Sequence, residues 1–148
     1  MKRILDYRNL FGTTKESNLK ELKKRYRDLI KDHHPDKFQD EKEKLAAELK
    51  SKEIIEAYHF LNSISPETRD QNLEEYTKMT ATTNIEDFLY KGLTLKITFQ
   101  DKSVYEYYGV PKSVYTKLVN SPTQTRFARR HIYTSYTYRN VMKQAEQN

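Results

Sequence analysis

Apolar positions recur at helical spacing in the first half of the chain and at strand spacing in part of the second. Leu5 to Phe11, with Leu5, Leu10 and Phe11 apolar and Gly12 as a stop, predicts a short helix. Asn18 is a suitable N-cap, with Glu21 three residues later, for a second helix over Leu19 to Asp32. In that helix Leu19, Leu22, Tyr26, Leu29 and Ile30 form one stripe, while Lys20, Lys23, Lys24, Arg27 and Lys31 recur on another. At ~100° per residue the two stripes are centred roughly 130° apart, so one face can pack while the other holds a line of cations in solvent. Pro35 interrupts the pattern, because it lacks an amide donor and pushes His34 out of helical geometry.

Helical signals resume by Glu41. Leu45, Leu49, Ile54, Ala57, Tyr58, Leu61 and Ile64 predict a long third helix ending near Ile64. Ser65 as N-cap and Pro66 at the first helical position open a short fourth helix, whose Leu73 and Tyr76 are expected to pack back on the bundle. Thr77 to Asn84 has no apolar period and reads as a linker. The period then changes to two: Leu93, Leu95, Ile97 and Phe99 alternate with polar residues. With Asp101-Lys102 and Val104 to Tyr108 this predicts a β-hairpin. A helix from about Pro111, carrying Val114, Tyr115, Leu118 and Val119, is broken at Ser121-Pro122. A short helix over Gln124 to Arg130 and a strand over Ile132 to Tyr138 complete a small α+β unit.

Composition sharpens the division. The 148 residues carry a net charge of +6, with 17 Lys+Arg against 16 Asp+Glu up to Lys78 and 10 against 5 from Met79 onward. Eight of the twelve tyrosines also follow Met79. The expected organisation is therefore an all-α module over 1–78, a linker over 79–87 and a small α+β module over 88–148. The chain has no cysteine, which excludes disulfides, thiolate zinc sites and cysteine nucleophiles. His33-His34 alone is a poor zinc set. With three glycines, Gly12, Gly92 and Gly109, there is no Gly-rich phosphate loop, and no nucleophile with oxyanion donors stands out. An enzyme is not expected, nor a cofactor. No signal peptide or membrane span is expected either, and the cysteine-free composition fits a cytoplasmic protein.

An isolated His-Pro-Asp is commonly a helix stop. Here His34-Pro35-Asp36 joins two amphipathic helices, the first with a basic face and preceded by a shorter helix. In this setting the chain resembles the J-domain (DnaJ-like) co-chaperone family over roughly residues 3 to 78. Asp6-Tyr7 and Leu10-Phe11-Gly12 are similar to its opening segment, and Leu22-Lys23-Lys24-Arg25-Tyr26-Arg27 to its second helix. Ile54-Ile55-Glu56-Ala57-Tyr58 with Leu61 is similar to its third, and Pro66-Glu67 with Arg69 to the start of its fourth. One departure is Ser51, one turn before Ile54, where many members carry Phe; Leu49 is the residue expected to fill that space. The resemblance implies docking on a DnaK-type chaperone ATPase and stimulation of its ATP hydrolysis. His34, Pro35 and Asp36 would be the coupling residues, and Lys20, Lys23, Lys24, Arg27 and Lys31 the cationic docking face.

In the second half, Tyr105-Glu106-Tyr107-Tyr108-Gly109-Val110-Pro111, Val114-Tyr115, Leu118, Arg126-Phe127, Ile132, Tyr136, Tyr138 and Arg139 resemble the KTSC domain of some lysyl-tRNA synthetases. The match covers roughly residues 88 to 142, with Ser121-Pro122-Thr123-Gln124-Thr125 where the family often has a Ser-x-Gly-like turn. Arg126, Arg129, Arg130 and Arg139 lie among Tyr133, Tyr136 and other aromatics. This is a pattern that could bind RNA through phosphates and base stacking, or an acidic protein segment. The competing reading makes the aromatics core, because tyrosines at strand spacing supply bulk that a chain poor in aliphatics needs. The leading expectation is a co-chaperone or adaptor that brings a DnaK-type ATPase to whatever the C-terminal module recognises. The alternative is a nucleic-acid- or ribosome-associated binding protein with the J-like part as scaffold.

Overall fold

The computed structural model describes residues 2–141. The last part of the expected C-terminal module, 142–148, lies outside the described residues. The chain divides into two units, Lys2–Arg69 and a second beginning at Asp70.

The first unit is helical. Helix α1 (Lys2–Phe11), α2 (Leu19–His33) and α3 (Glu41–Ser63) pack together, and the first turn of α4 (Pro66–Thr82) belongs with them. The starts of the helices follow their caps. Asn18 Oδ1 accepts from the Glu21 amide at 2.8 Å, Asp40 Oδ2 from Glu43 at 3.2 Å, and Ser65 Oγ from Thr68 at 3.3 Å, with Pro66 opening α4. Glu67 Oε1 takes the amide of Leu19, one of the donors that the start of α2 leaves without an intrahelical partner. The core holds Ile4, Phe11, Leu22, Ala47, Ile54, Ala57, Phe60, Leu61 and Ile64. Tyr26 of α2 stacks on Tyr58 of α3 with ring centroids 4.2 Å apart.

The long stripe expected on α3 holds from Ile54 to Ile64 but not in the first turns of the helix. Leu45 and Leu49 are exposed, Leu49 by 61%, so Leu49 does not fill the space at Ser51. Ala47 occupies the inward position instead, because Ala47, Ser51, Ile54 and Tyr58 recur along one line of the helix.

The second unit is an antiparallel sheet in the order β1-β2-β3-β4, with α5 (Lys112–Asn120) and α6 (Gln124–His131) between the last two strands. Its strands are β1 (Ile85–Lys91), β2 (Thr94–Phe99), β3 (Val104–Tyr108) and β4 (Thr137–Asn140). Period two puts Leu95, Ile97, Phe99, Tyr105, Tyr107 and Tyr138 on one face, where Val110, Leu118, Ala128, Ile132 and Tyr133 cover them.

Strand β1 has no clear alternation in the sequence. A register shift between Ile85 and Asp87 breaks its period, and Leu89 points outward. Its free edge is blunted, since Asp87 Oδ1 takes the Phe88 amide at 2.8 Å. Leu93, expected as the start of a strand, is instead in the β1–β2 turn. There Gly92 and Leu93 both have positive φ, 55° and 64°, as a two-residue hairpin turn matched to strand twist requires. The strand expected over Ile132 to Tyr138 is turn to Tyr136, with β4 following it.

Residues 79–87, expected as linker, continue α4 to Thr82 and begin β1 at Ile85. The physical reason is that this part of α4 is held by side chains of its own unit. Tyr76 does not pack on the helical bundle. It sits in the sheet core, its ring stacked on Tyr138 at 4.0 Å, while Leu73 is exposed. The Tyr76 hydroxyl donates to the Tyr133 carbonyl at 2.8 Å and lies 2.8 Å from the Tyr107 hydroxyl. A carbonyl can only accept, so Tyr107 donates to Tyr76 and the buried chain is fully ordered. Arg129 of α6 donates from Nε to the Thr80 carbonyl at 3.1 Å and from a terminal nitrogen to Ala81 at 3.3 Å. It places a cation on the negative end of a helix whose own last turn has no basic residue.

Two outcomes follow for stability. Tyr76→Phe strands a buried hydroxyl and a buried carbonyl and is expected to cost about 1–3 kcal/mol in denaturant unfolding. Burial also pushes the Tyr76, Tyr107, Tyr108 and Tyr133 hydroxyls well above the ordinary tyrosine value of 10. A folded-state value raised in this way gives stability that is complete below pH ~10 and lost as pH climbs above it. Alkaline titration followed by tyrosinate absorbance should therefore show these tyrosines ionising only as the second unit unfolds.

Candidate functional site

The His-Pro-Asp corner is where the regular backbone donors of α2 run out. The carbonyls of the last turn need donors four residues on, and Pro35 has none to give. The chain leaves α2 at His34, in extended geometry at φ −65° and ψ 132°, and makes one 3-10 turn over Pro35–Lys37. Lys37 and Phe38 donate to the carbonyls of His34 and Pro35 at 3.0 and 3.1 Å. The Asp36 amide donates to His34 Nδ1 at 3.1 Å. An accepting Nδ1 carries no proton, so in the neutral ring Nε2 bears the hydrogen and is the donor left for a partner.

The corner is open. The His34 side chain is 51% exposed and that of Asp36 92%, with the carboxylate 3.6 Å from Nδ1. Beside it, Lys20, Lys23, Lys24, Arg27 and Lys31 are all exposed along α2, while Leu22 is buried on the packed face. The helix therefore has the two faces read from its period: apolar inward, cationic outward.

Ser51 was not anticipated as part of this region. Its hydroxyl reaches across from α3 to the carbonyl of His33 at 3.1 Å. Only its departure from the family pattern marked the position in the sequence.

The arginine and tyrosine set of the second unit is not one surface. Tyr133 is 1% exposed and Arg139 9%, so neither can meet a base or a phosphate directly. Arg139 stands opposite Glu106 across the β3–β4 pair, 3.7 Å from its carboxylate. Arg129 is committed to the end of α4, and Tyr136 is half-buried against the core. Arg126 and Arg130 remain exposed on α6. The core reading of the aromatics is the one the structure bears out, because in this small unit tyrosine and phenylalanine rings form most of the apolar interior.

Among the described residues no three His, Asp or Glu side chains gather as a metal site would need, and no helix is long and apolar enough to cross a membrane.

Comparison with known proteins divides the chain in the same way. The DnaJ domain model matches residues 6–71 and the KTSC domain model residues 81–143. Curated relatives include the chaperone protein DnaJ of Hydrogenobacter thermophilus, 38% identical over 86 residues, or 58% of this chain and 22% of that protein. The chaperone protein DnaJ of Halothermothrix orenii is 36% identical over 94 residues, 59% of this chain and 22% of that one. The DnaJ protein homolog XDJ1 of Saccharomyces cerevisiae is 41% identical over 54 residues, 36% and 12% respectively. The chain thus spans about a fifth or less of the length of these relatives. It carries an N-terminal DnaJ domain, a J-domain, fused to a C-terminal KTSC domain.

Proposed function

We propose that this protein is a co-chaperone adaptor: its J-domain stimulates ATP hydrolysis by a DnaK-type chaperone, and its KTSC domain selects where that chaperone acts. The carrying observation is the exposed, hydrogen-bonded His34-Pro35-Asp36 corner at the end of a helix whose outer face is a line of cations. The names of the DnaJ relatives support the same reading.

The chemistry assigned to each residue follows from what it can offer. His34 presents Nε2–H, and Asp36 presents a carboxylate suited to a cationic partner group. Pro35 stiffens the turn, so little entropy is lost on docking. Lys20, Lys23, Lys24, Arg27 and Lys31 raise the encounter rate with an acidic surface and orient it more than they add affinity. The turnover belongs to the partner, and the chain itself is not an enzyme.

At the C-terminal unit, Arg126 and Arg130, the exposed arginines of α6 not engaged with the end of α4, stand without an exposed aromatic platform among the six candidate residues. That suits contact with an acidic protein segment better than base stacking on RNA.

Single-turnover ATP hydrolysis by a DnaK-type chaperone should accelerate when the protein is added, and His34→Gln should remove the acceleration. Equal stimulation by both proteins ends the proposal. Replacing Lys23, Lys24 and Arg27 together by Glu should raise the half-maximal concentration by at least about tenfold, and added salt should weaken the wild type in the same direction. A salt-independent half-maximal concentration would remove the cationic face from the docking surface.

A further inference from the structure

We propose that Ser51 is a positioning residue for the His34 imidazole, acting through the carbonyl that precedes it. The inference rests on the co-chaperone reading for its functional consequence, though not for its geometry.

The argument is an accounting of donors at the end of α2. A carbonyl in the last helical turn must find a donor outside the regular ladder or remain unpaired. The donor four residues beyond His33 is the Lys37 amide, and it is already bonded to the His34 carbonyl. The Asp36 amide is bonded to the His34 ring and Pro35 has no amide hydrogen. The backbone of the corner therefore has nothing left for the His33 carbonyl. The Ser51 hydroxyl, from α3, supplies the missing donor at 3.1 Å.

That carbonyl lies in the same rigid peptide plane as the His34 amide nitrogen. Holding its oxygen fixes the plane from which the His34 Cα and side chain project. On the other side of the residue, the Asp36 amide fixes the ring through Nδ1. Two hydrogen bonds, one before His34 and one after it, thus set the direction of Nε2–H. Ser51 is well placed for this, because the inward line of α3 through Ala47, Ser51, Ile54 and Tyr58 meets α2 at the Tyr26–Tyr58 stack. A serine in the middle of a helix is ordinarily a mild cost, and this one returns a bond that no backbone group can make.

Loss of the hydroxyl should not remove His34, but should lower the fraction of molecules with the ring correctly aimed. A binding-competent state that is less populated raises the apparent dissociation constant by the reciprocal of its fraction and leaves the fully docked complex unchanged. Ser51→Ala should therefore raise the half-maximal concentration for stimulating the ATPase by about threefold to tenfold, as for one lost hydrogen bond, with the same maximal stimulation. Ser51→Thr keeps the hydroxyl and should restore the wild-type value.

The second measurement needs no partner. Imidazole nitrogen NMR of the full chain at about pH 9, above the ordinary histidine range, should show the Nε2–H form of His34 in the wild type and in Ser51→Thr, and a shift toward mixed tautomers in Ser51→Ala. A variant that is merely less stable would lower the unfolding midpoint without this ring signature.

Identical half-maximal concentrations in wild type and Ser51→Ala overturn the functional claim, as does a threonine variant that behaves like alanine. Identical ring signatures in all three proteins overturn the geometric one. A wild type that stimulates no DnaK-type ATPase sinks the co-chaperone reading instead, and the imidazole spectrum still decides whether Ser51 sets the ring.

Discussion

A missing amide hydrogen governs the corner at which α2 ends. Proline at position 35 cannot serve the ladder of α2, so the helix must stop there and its last carbonyls must look elsewhere. The corner does not fray, because each available donor is used. The Asp36 amide goes to the His34 ring, those of Lys37 and Phe38 go to the carbonyls of His34 and Pro35, and a serine on the neighbouring helix serves His33. The same deficit that ends the helix thereby fixes an imidazole in one tautomer and leaves a carboxylate in solvent. A helix break becomes a defined chemical surface only when the orphaned groups are answered locally, and here they are.

The second unit depends on a different economy. With few aliphatics to bury, it builds its interior from tyrosines, and every buried tyrosine brings a hydroxyl that needs a partner. Tyr107, Tyr76 and the Tyr133 carbonyl form one ordered chain, while Asn140 donates to the Tyr105 hydroxyl at 3.0 Å. These bonds explain why a residue on α4 is part of a sheet domain. Tyr76 lies upstream of the stretch matched by the KTSC model, which begins at residue 81, yet its hydroxyl is the middle link. Arg129 reinforces the connection by holding the last carbonyls of the same helix.

Legibility in the sequence tracked the kind of force involved. Helices α1 to α3, the start of α4, the caps at Asn18 and Ser65 and the two faces of α2 were readable, because period and cap chemistry are local, whereas α4 runs on past the short helix expected. The break at the His-Pro-Asp corner was readable for the same reason, since Pro35 dictates it. Strand β1 was missed because a bulge breaks its alternation and its most exposed apolar residue, Leu89, mimics a core position. Leu45 and Leu49 misled in the same way: apolar side chains at helical spacing do not declare which side of a long helix faces the core. The linker expected over 79–87 failed through its threonines. Thr80 and Thr82 return their hydroxyls to carbonyls of their own helix at 3.0 and 2.8 Å, so they sit inside α4 rather than ending it.

The arginine patch shows why composition alone is a weak guide to a binding surface. Clustered in sequence, its members have separate duties: Arg129 caps a helix, Arg139 is buried opposite Glu106, and Arg126 and Arg130 face solvent. A strand sends alternate residues to opposite faces and a short helix spreads its residues around an axis, so nearness along the chain does not make a patch. On α2 the reverse holds. Five cations at helical spacing on a helix whose other face is packed must emerge on one side, and they do. The difference lies in whether the fold leaves the residues a choice. The cationic face of the J-domain is forced by packing and can be argued from the sequence. Any surface of the KTSC domain has to be read from coordinates, residue by residue, after its core has claimed the aromatics.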